Sequence, residues 1–288
     1  MELRHLRYAM AVADMRNFTR AARHMGVSQP PLSRQIRELE EAMGVQLFLR
    51  DTRPVQLTDA GRVFIDQARH ILAQVDQLTQ SMQRLSSPRF IIGVVGSIMQ
   101  GSMPDMIRRF RDACPQVEVE LVEMTTIQQV AALKEGQIDA GLGRIRIEDA
   151  AIVRTVLYAE PLVLATPSDG DDRREASLEA VTGQVLIVYP SSPRPSYADQ
   201  VLALLADKGI RPDRLIEVRE AQTALGLVAA RAGVAIVPES LSTHQRSDIC
   251  YSALSDQEAR SPIILSQRRS DQSAPGATFR AIGQSLFA

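Results

Sequence analysis

Between Thr58 and Pro88 the apolar residues Phe64, Ala68, Ile71, Val75, Leu78, Met82 and Leu85 follow one another in alternating steps of four and three. That spacing places all seven on one stripe of a helix, an a/d seam with a heptad period. A single apolar seam cannot be satisfied in water, so the helix must pack on its own chain or on a second copy. The period is that of a two-helix seam, which favours a dimer helix. Thr58 can cap its start, and Ser86-Ser87-Pro88 breaks it. The seam thus divides the 288-residue chain into a leading segment (1–58), a connecting helix (59–88) and a long remainder (89–288).

The leading segment is basic although the chain as a whole has a net charge of -1. It carries nine Arg against six Asp or Glu, and five Arg with no acid lie between Arg16 and Arg37. Leu3, Leu6 and Met10 predict a first helix over about 3–14. Asn17 can cap a second, with Phe18, Ala22 and Met25 on one face, and Gly26 suits the left-handed turn that ends it. Ser28 can cap a third helix, in which Gln29, Pro30 and Pro31 fill the first turn. Backbone N–H groups there have no intrahelical partner, so proline is tolerated.

In that third helix Leu32, Ile36, Leu39 and Met43 form the predicted buried stripe, leaving Gln29, Pro30, Ser33, Arg34 and Arg37 outward. A solvated face is one reading. A helix-turn-helix presenting Gln, Ser and Arg to DNA is the other, since Gln can pair bidentately with adenine and Arg with guanine. Arg37 fits a phosphate contact or simple solvation. Leu47–Arg50 and Val55–Thr58 then predict a short hairpin with Arg53 at its tip, where an arginine could enter a narrow minor groove.

From Arg89 onward strand-like runs (90–95, 117–124, 138–142, 161–165, 185–189, 234–238 and 262–266) alternate with helical patterns (104–113, 127–135, 196–207, 221–232 and 276–287). This predicts an α/β region of two lobes. Lobe I takes about 89–161 and 266–288, lobe II about 162–265, with crossings near 161–165 and 262–266. Hydroxyls stand at several strand-to-helix junctions: Ser97 after Gly96, Thr126 after Thr125, and Ser196 between Pro195 and Tyr197. Any one of them can be a mere helix cap. Together they describe a cleft of helix N-termini beyond strand ends, suited to a carboxylate. Arg144 could pair with such an anion or with Glu148.

Catalysis finds no support. The four His are scattered, no GxSxG or Walker loop occurs, and "GLGRIR" has Arg146 where a dinucleotide fingerprint needs glycine. Cys114 and Cys250 lie far apart, outside any CxxC spacing, so neither a disulfide framework nor a metal site is expected. No apolar run spans a membrane and "MELRHLRYAM" is unlike a signal peptide, so a cytoplasmic protein is expected.

The stretch from "MELRHLRYAM" to "VQLTDAGR" closely resembles the LysR-type transcriptional regulators, and the likeness runs through the chain. It implies a winged helix-turn-helix, a linker helix and a two-lobed effector domain resembling periplasmic binding proteins. The segments "EMTTIQQVAALKEGQIDAGLGRIRIEDAAI", "YPSSPRPSYADQVLAL" and "ALGLVAARAGVAIVPES" resemble the subgroup that controls catechol degradation in response to cis,cis-muconate. By that resemblance Gln29, Pro30, Ser33 and Arg34 contact bases and Arg53 meets the minor groove. Ser97, Thr126, Arg144, Pro195, Ser196 and Tyr197 hold the effector, Tyr197 departing from relatives that carry Phe. A chloromuconate or benzoate is the alternative effector. Promoter DNA, a homodimer assembling to a tetramer and RNA polymerase are the implied partners, with no cofactor. An acid-binding protein without DNA function is the rival from another class.

Overall fold

The computed structural model describes residues 1–49, 52, 54–84, 88–168, 175–243 and 246–287. It divides into two units, Met1–Gln83 and Arg84–Ala288. In the first, α1 (Leu3–Met15), α2 (Phe18–His24) and α3 (Gln29–Met43) precede a hairpin of β1 (Phe48–Leu49) and β2 (Gln56–Leu57), and α4 (Asp59–Arg84) follows. The Asn17 side chain accepts the Arg20 N–H at 3.0 Å, and Gly26 (φ +67°) makes the left-handed turn before α3. Pro30 and Pro31 sit in the first turn of α3 after Ser28 at the cap position, although the Ser28 side chain makes no capping bond.

Leu32, Ile36 and Leu39 are buried with Leu6, Val12, Leu47, Phe48 and Phe64. Each fully buried aliphatic side chain contributes roughly 1.5–3 kcal/mol to the unit. Two expectations for α3 fail. Met43 is 41% exposed, because α3 runs a turn beyond the core before Gly44 (φ +68°) ends it. Ser33 is only 7% exposed, because it lies about 60° around the helix from Ile36 and so borders the buried stripe. The α4 seam also splits. Phe64 and Ala68 join the core of their own unit, whereas Ile71 and Leu78 are 37% and 63% exposed. The side chain of Met82, and Leu85 with Ser86 and Ser87, lie outside the described residues, as do Arg50 and Arg53 of the hairpin.

The second unit is built on β3 (Arg89–Val94), α5 (Met103–Ala113), β4 (Glu118–Glu123), α6 (Thr126–Lys134), β5 (Ala140–Gly143) and β6 (Ile152–Pro167). It continues with β7 (Glu175–Ala176), β8 (Val185–Val188), α7 (Tyr197–Asp207), β9 (Arg214–Glu217), α8 (Ala221–Ala229) and β10 (Ala235–Pro238). It closes with β11 (Ile249–Leu254), β12 (Arg260–Arg268) and α9 (Ala274–Leu286). β3 pairs in parallel with β4 and β5, and β12 lies antiparallel between β5 and β6.

β6 belongs to both lobes. Its residues 152–161 pair with β12, and 162–167 pair antiparallel with β10 and β11. Only its second half reads as a strand in the sequence, since 152–160 mixes Arg, Thr and Glu with apolar residues. The return strand β12 pairs with β6 from Arg260 onward. The pair β8–β9 is parallel and lies beside β10 through a bridge from Leu186 to Val234. One apolar core surrounds Leu186, Val201, Leu225 and Ile236, and another surrounds Phe90, Phe110, Leu265 and Phe279. These are the two lobes.

Candidate functional sites

Of the five α3 side chains expected to face outward, Gln29, Pro30, Arg34 and Arg37 are exposed and Ser33 is buried. The Arg34 side chain is 74% exposed and lies 3.6 Å from Glu38, one turn on. An exposed pair of this kind is weak, so a stronger anion can recruit the guanidinium. Gln35 is held back by His5, whose Nε2 lies 2.8 Å from the Gln35 side-chain oxygen, and by its own bond to Glu38. The face is therefore polar, basic at Arg34 and Arg37, and stiffened at its head by two prolines.

In the second unit the carboxyl ends of β3, β4, β5, β8 and β9 converge on one cavity of about 620 Å³. Ser97, Thr126, Arg144, Pro195, Ser196 and Tyr197 all line it, so the structure brings together every effector residue expected from the sequence. The helix N-termini of α6, α7 and α8 open onto it, with backbone N–H groups that have no intrahelical partner.

Arg144 dominates the electrostatics. It is 3% exposed, its Nη2 donates to Glu160 at 2.6 Å and its Nε donates to Ser97 Oγ at 3.0 Å. The expected alternative partner Glu148 instead pairs with Arg146 at 2.7 Å and with Arg154 at 3.6 Å. Glu148 is exposed, whereas Arg144 is buried and meets the equally buried Glu160. The second oxygen of Glu160 accepts the Ser240 N–H at 2.8 Å. The remaining donor, Arg144 Nη1, is buried without a hydrogen-bond partner. Leaving such a donor unpaired costs on the order of 1–3 kcal/mol, which an acceptor entering the cavity would recover.

The hydroxyls divide into structural and open ones. Thr125 caps α6, in a reciprocal pair with Gln128, and leaves Thr126 as the first helical residue. Thr126 is 7% exposed and packs against Gly143, where a Cβ would stand 2.5 Å from its hydroxyl oxygen. Ser196 donates its hydroxyl to the Pro190 carbonyl at 2.9 Å, and its N–H donates to Asp199 at 2.6 Å. Burial pushes the Asp199 carboxyl up, but that bond and Arg194 outweigh it and hold the group below its ordinary range. Tyr197 spends its hydroxyl on the Ile236 carbonyl at 3.1 Å, so it offers the cavity a ring and no extra polarity.

Sequence reasoning missed two members. Tyr189 lines the cavity with its ring 5.2 Å from that of Tyr197, and its hydroxyl is buried without a partner. Burial raises its phenol well above the ordinary range despite the pull of Arg144, so it stays a neutral donor. Its signal was its place directly after the strand run "VLIV". Glu160 was the lone acid beside "PLVLA", a buried charge that needs a cation.

Two family models match the chain: the bacterial regulatory helix-turn-helix protein, lysR family, over residues 3–62, and the LysR substrate binding domain over 83–286. The chain is 44% identical over 279 residues to a probable cat1 operon transcriptional activator of Acinetobacter lwoffii, covering 95% of this chain and 92% of that one. It is 45% identical over 277 residues to the HTH-type transcriptional regulator CatR of Pseudomonas putida, covering 95% of each. Among solved structures, full-length CbnR complexed with its target DNA is 30% identical at a TM-score of 0.74, covering 99% of both chains. The effector binding domain of BenM with its effector benzoate is 37% identical at a TM-score of 0.65, covering 69% of this chain and 91% of that one. No described helix is long and apolar enough to cross a membrane. The relatives are regulators and not enzymes, and this chain belongs to the LysR family of bacterial helix-turn-helix transcriptional regulators.

Proposed function

We propose that the chain activates genes of catechol and benzoate degradation, with cis,cis-muconate as co-inducer bound between the lobes of residues 89–288. In this reading residues 1–58 read promoter DNA and 59–88 link protomers into a dimer. Gln29, Pro30, Ser33 and Arg34 lie at the bases and Arg53 at the minor groove. Dimers pair into a tetramer that engages RNA polymerase in the cytoplasm. Ser97, Thr126, Arg144, Pro195, Ser196 and Tyr197 surround the co-inducer.

The observation that carries this reading is the buried, partnerless Nη1 of Arg144, set among helix N-termini in a cavity of about 620 Å³. Met99, Met124, Ile145 and Leu241 supply apolar lining between the polar ends, as a diene with a carboxylate at each end requires. Ligand binding changes promoter occupancy only if it favours one lobe arrangement over the other.

A second reading takes benzoate or a chloromuconate as effector. The similarity to a benzoate-bound domain and the Tyr189–Tyr197 ring pair beside a single buried cation favour it. A thermal-shift panel of muconate, chloromuconates and benzoate separates the two. The larger stabilisation identifies the effector, and muconate without effect would refute the first reading. A gel shift on a palindromic promoter fragment, with and without that acid, tests the DNA role.

A further inference from the structure

The N-terminal unit holds a carboxylate that the reading face does not use. Glu40, on α3, is 8% exposed and accepts hydrogen bonds from the backbone N–H groups of Leu47 at 2.8 Å and Phe48 at 3.2 Å. Both residues follow the left-handed turn at Gly44 that ends α3. Leu47 is held equally from the other side, because its carbonyl accepts the Thr58 N–H at 3.0 Å. Thr58 precedes α4, accepts the Gly61 N–H at 2.9 Å and donates its hydroxyl to the Gln46 carbonyl at 2.6 Å. Gly61 approaches so closely that a Cβ there would meet the Leu47 carbonyl oxygen at 2.1 Å. One backbone segment, 46–48, is therefore gripped by α3 on one side and by the first turn of α4 on the other.

Apolar packing holds two helices together but is not directional. Hydrogen bonds are, and those to a buried carboxylate are stronger than neutral ones. The exposed basic residues of α3 end at Arg37, about one turn before Glu40, and Glu40 itself is buried, so this carboxylate takes no part in contact with bases. What it can fix is orientation.

We propose that Glu40 is a positioning residue that, through Leu47 and Gly61, sets the angle between α3 and α4. It thereby sets the half-site spacing a dimer selects on DNA. The inference rests on the reading of α3 as the DNA-reading helix and α4 as the dimer helix. In such a dimer each reading helix hangs from its own α4, so rotation at the joint moves the two reading helices apart or together. Half-site spacing mirrors their separation.

The test uses the full chain as wild type, Glu40→Gln and Gly61→Ala. The probe is a duplex selected from a random pool by the wild type and rebuilt with its half-sites moved apart or together by about one or two base pairs. Both N–H groups donate to the same Glu40 oxygen, Oε1, so Gln can keep both bonds but removes the charge that strengthens them. Ala pushes the same segment from the α4 side with Glu40 intact. The wild type should prefer one spacing by about tenfold or more, the worth of one or two mismatched base pairs. Both variants should flatten that preference or move its optimum, while affinity for an isolated half-site and self-association in sedimentation stay within about twofold. Weakening of every spacing alike with the wild-type optimum retained would make Glu40 merely structural and overturn the proposal. So would unfolding of both variants, read by melting temperature alongside. A wild type without any preferred spacing would instead refute the dimeric reading on which the proposal stands.

Discussion

Glu160→Gln removes one charge from the buried Arg144–Glu160 pair while keeping the side chain's shape. The pair is closed at 2.6 Å with side chains 2% and 6% exposed, so solvent does little to screen it. Breaking a buried pair by removing one partner costs roughly 3–5 kcal/mol. A domain of ordinary stability, about 5–15 kcal/mol, survives that loss with a lower melting temperature. Gln offers one neutral acceptor oxygen for the two donors that Glu160 serves, Arg144 Nη2 and the Ser240 N–H, so the Arg144 charge is left uncompensated beside its open Nη1. A carboxylate entering the cavity then replaces Glu160 and does not compete with it. A hydrogen bond to a charged group contributes about 1.5–3 kcal/mol, so affinity for muconate should rise by about 10- to 100-fold. Calorimetry on the folded variant measures this, and the ligand-induced rise in melting temperature should exceed the wild type's at equal ligand. Equal or weaker binding by a folded Glu160→Gln chain would remove Arg144 from the effector site.

Four further outcomes are expected. Arg34→Ala should lower specific DNA affinity by about 1–3 kcal/mol, and unchanged discrimination between operator and scrambled duplex in a gel shift would exclude a base contact. Thr126→Val keeps the shape beside Gly143 but loses the hydroxyl, so effector affinity in calorimetry should fall by about tenfold with DNA binding intact. Leu78→Glu places a charge on the exposed part of the α4 seam and should weaken self-association in sedimentation by about tenfold or more, since a buried Leu contributes roughly 1.5–3 kcal/mol. Asp256 is pushed up by burial, but the Leu178 N–H at 2.8 Å and Lys208 at 2.9 Å outweigh this and lower its pKa. Its contribution is present above the ordinary carboxylate range of about 3.9 and lost as pH falls through the depressed value. Asp256→Asn should therefore lower the urea midpoint at neutral pH, and the difference from wild type should shrink in acid.

Local chemistry made much of the molecule legible. Asn17, Gly26 and the Pro30-Pro31 pair each act within a few residues, through a cap, a left-handed φ or a missing N–H, so their positions follow from the sequence. The hydroxyls at strand ends could be found in the same way, because a strand followed by a helix brings its junction to the sheet's carboxyl edge. Which of them serve as caps could not be read. Thr125 and Thr126 are adjacent, chemically alike and both on the cavity wall, and only the helix phase makes Thr125 the cap and Thr126 the first helical residue. The same limit explains Tyr197, whose hydroxyl is taken by a carbonyl 39 residues away, and Tyr189, whose hydroxyl is not taken at all.

The sequence by itself determined the elements of the reading helix, the period of α4 and the hydroxyl-bearing turns of an α/β pair of lobes, because each depends on propensity and spacing along the chain. Tertiary structure alone decided that Arg144 faces Glu160 and not the nearer Glu148, that Ser33 and Glu40 are buried while Met43 is not, and that the α4 seam is half consumed at home. Those outcomes depend on which groups compete for one buried space, and competition between residues far apart in sequence is settled only when the chain has folded.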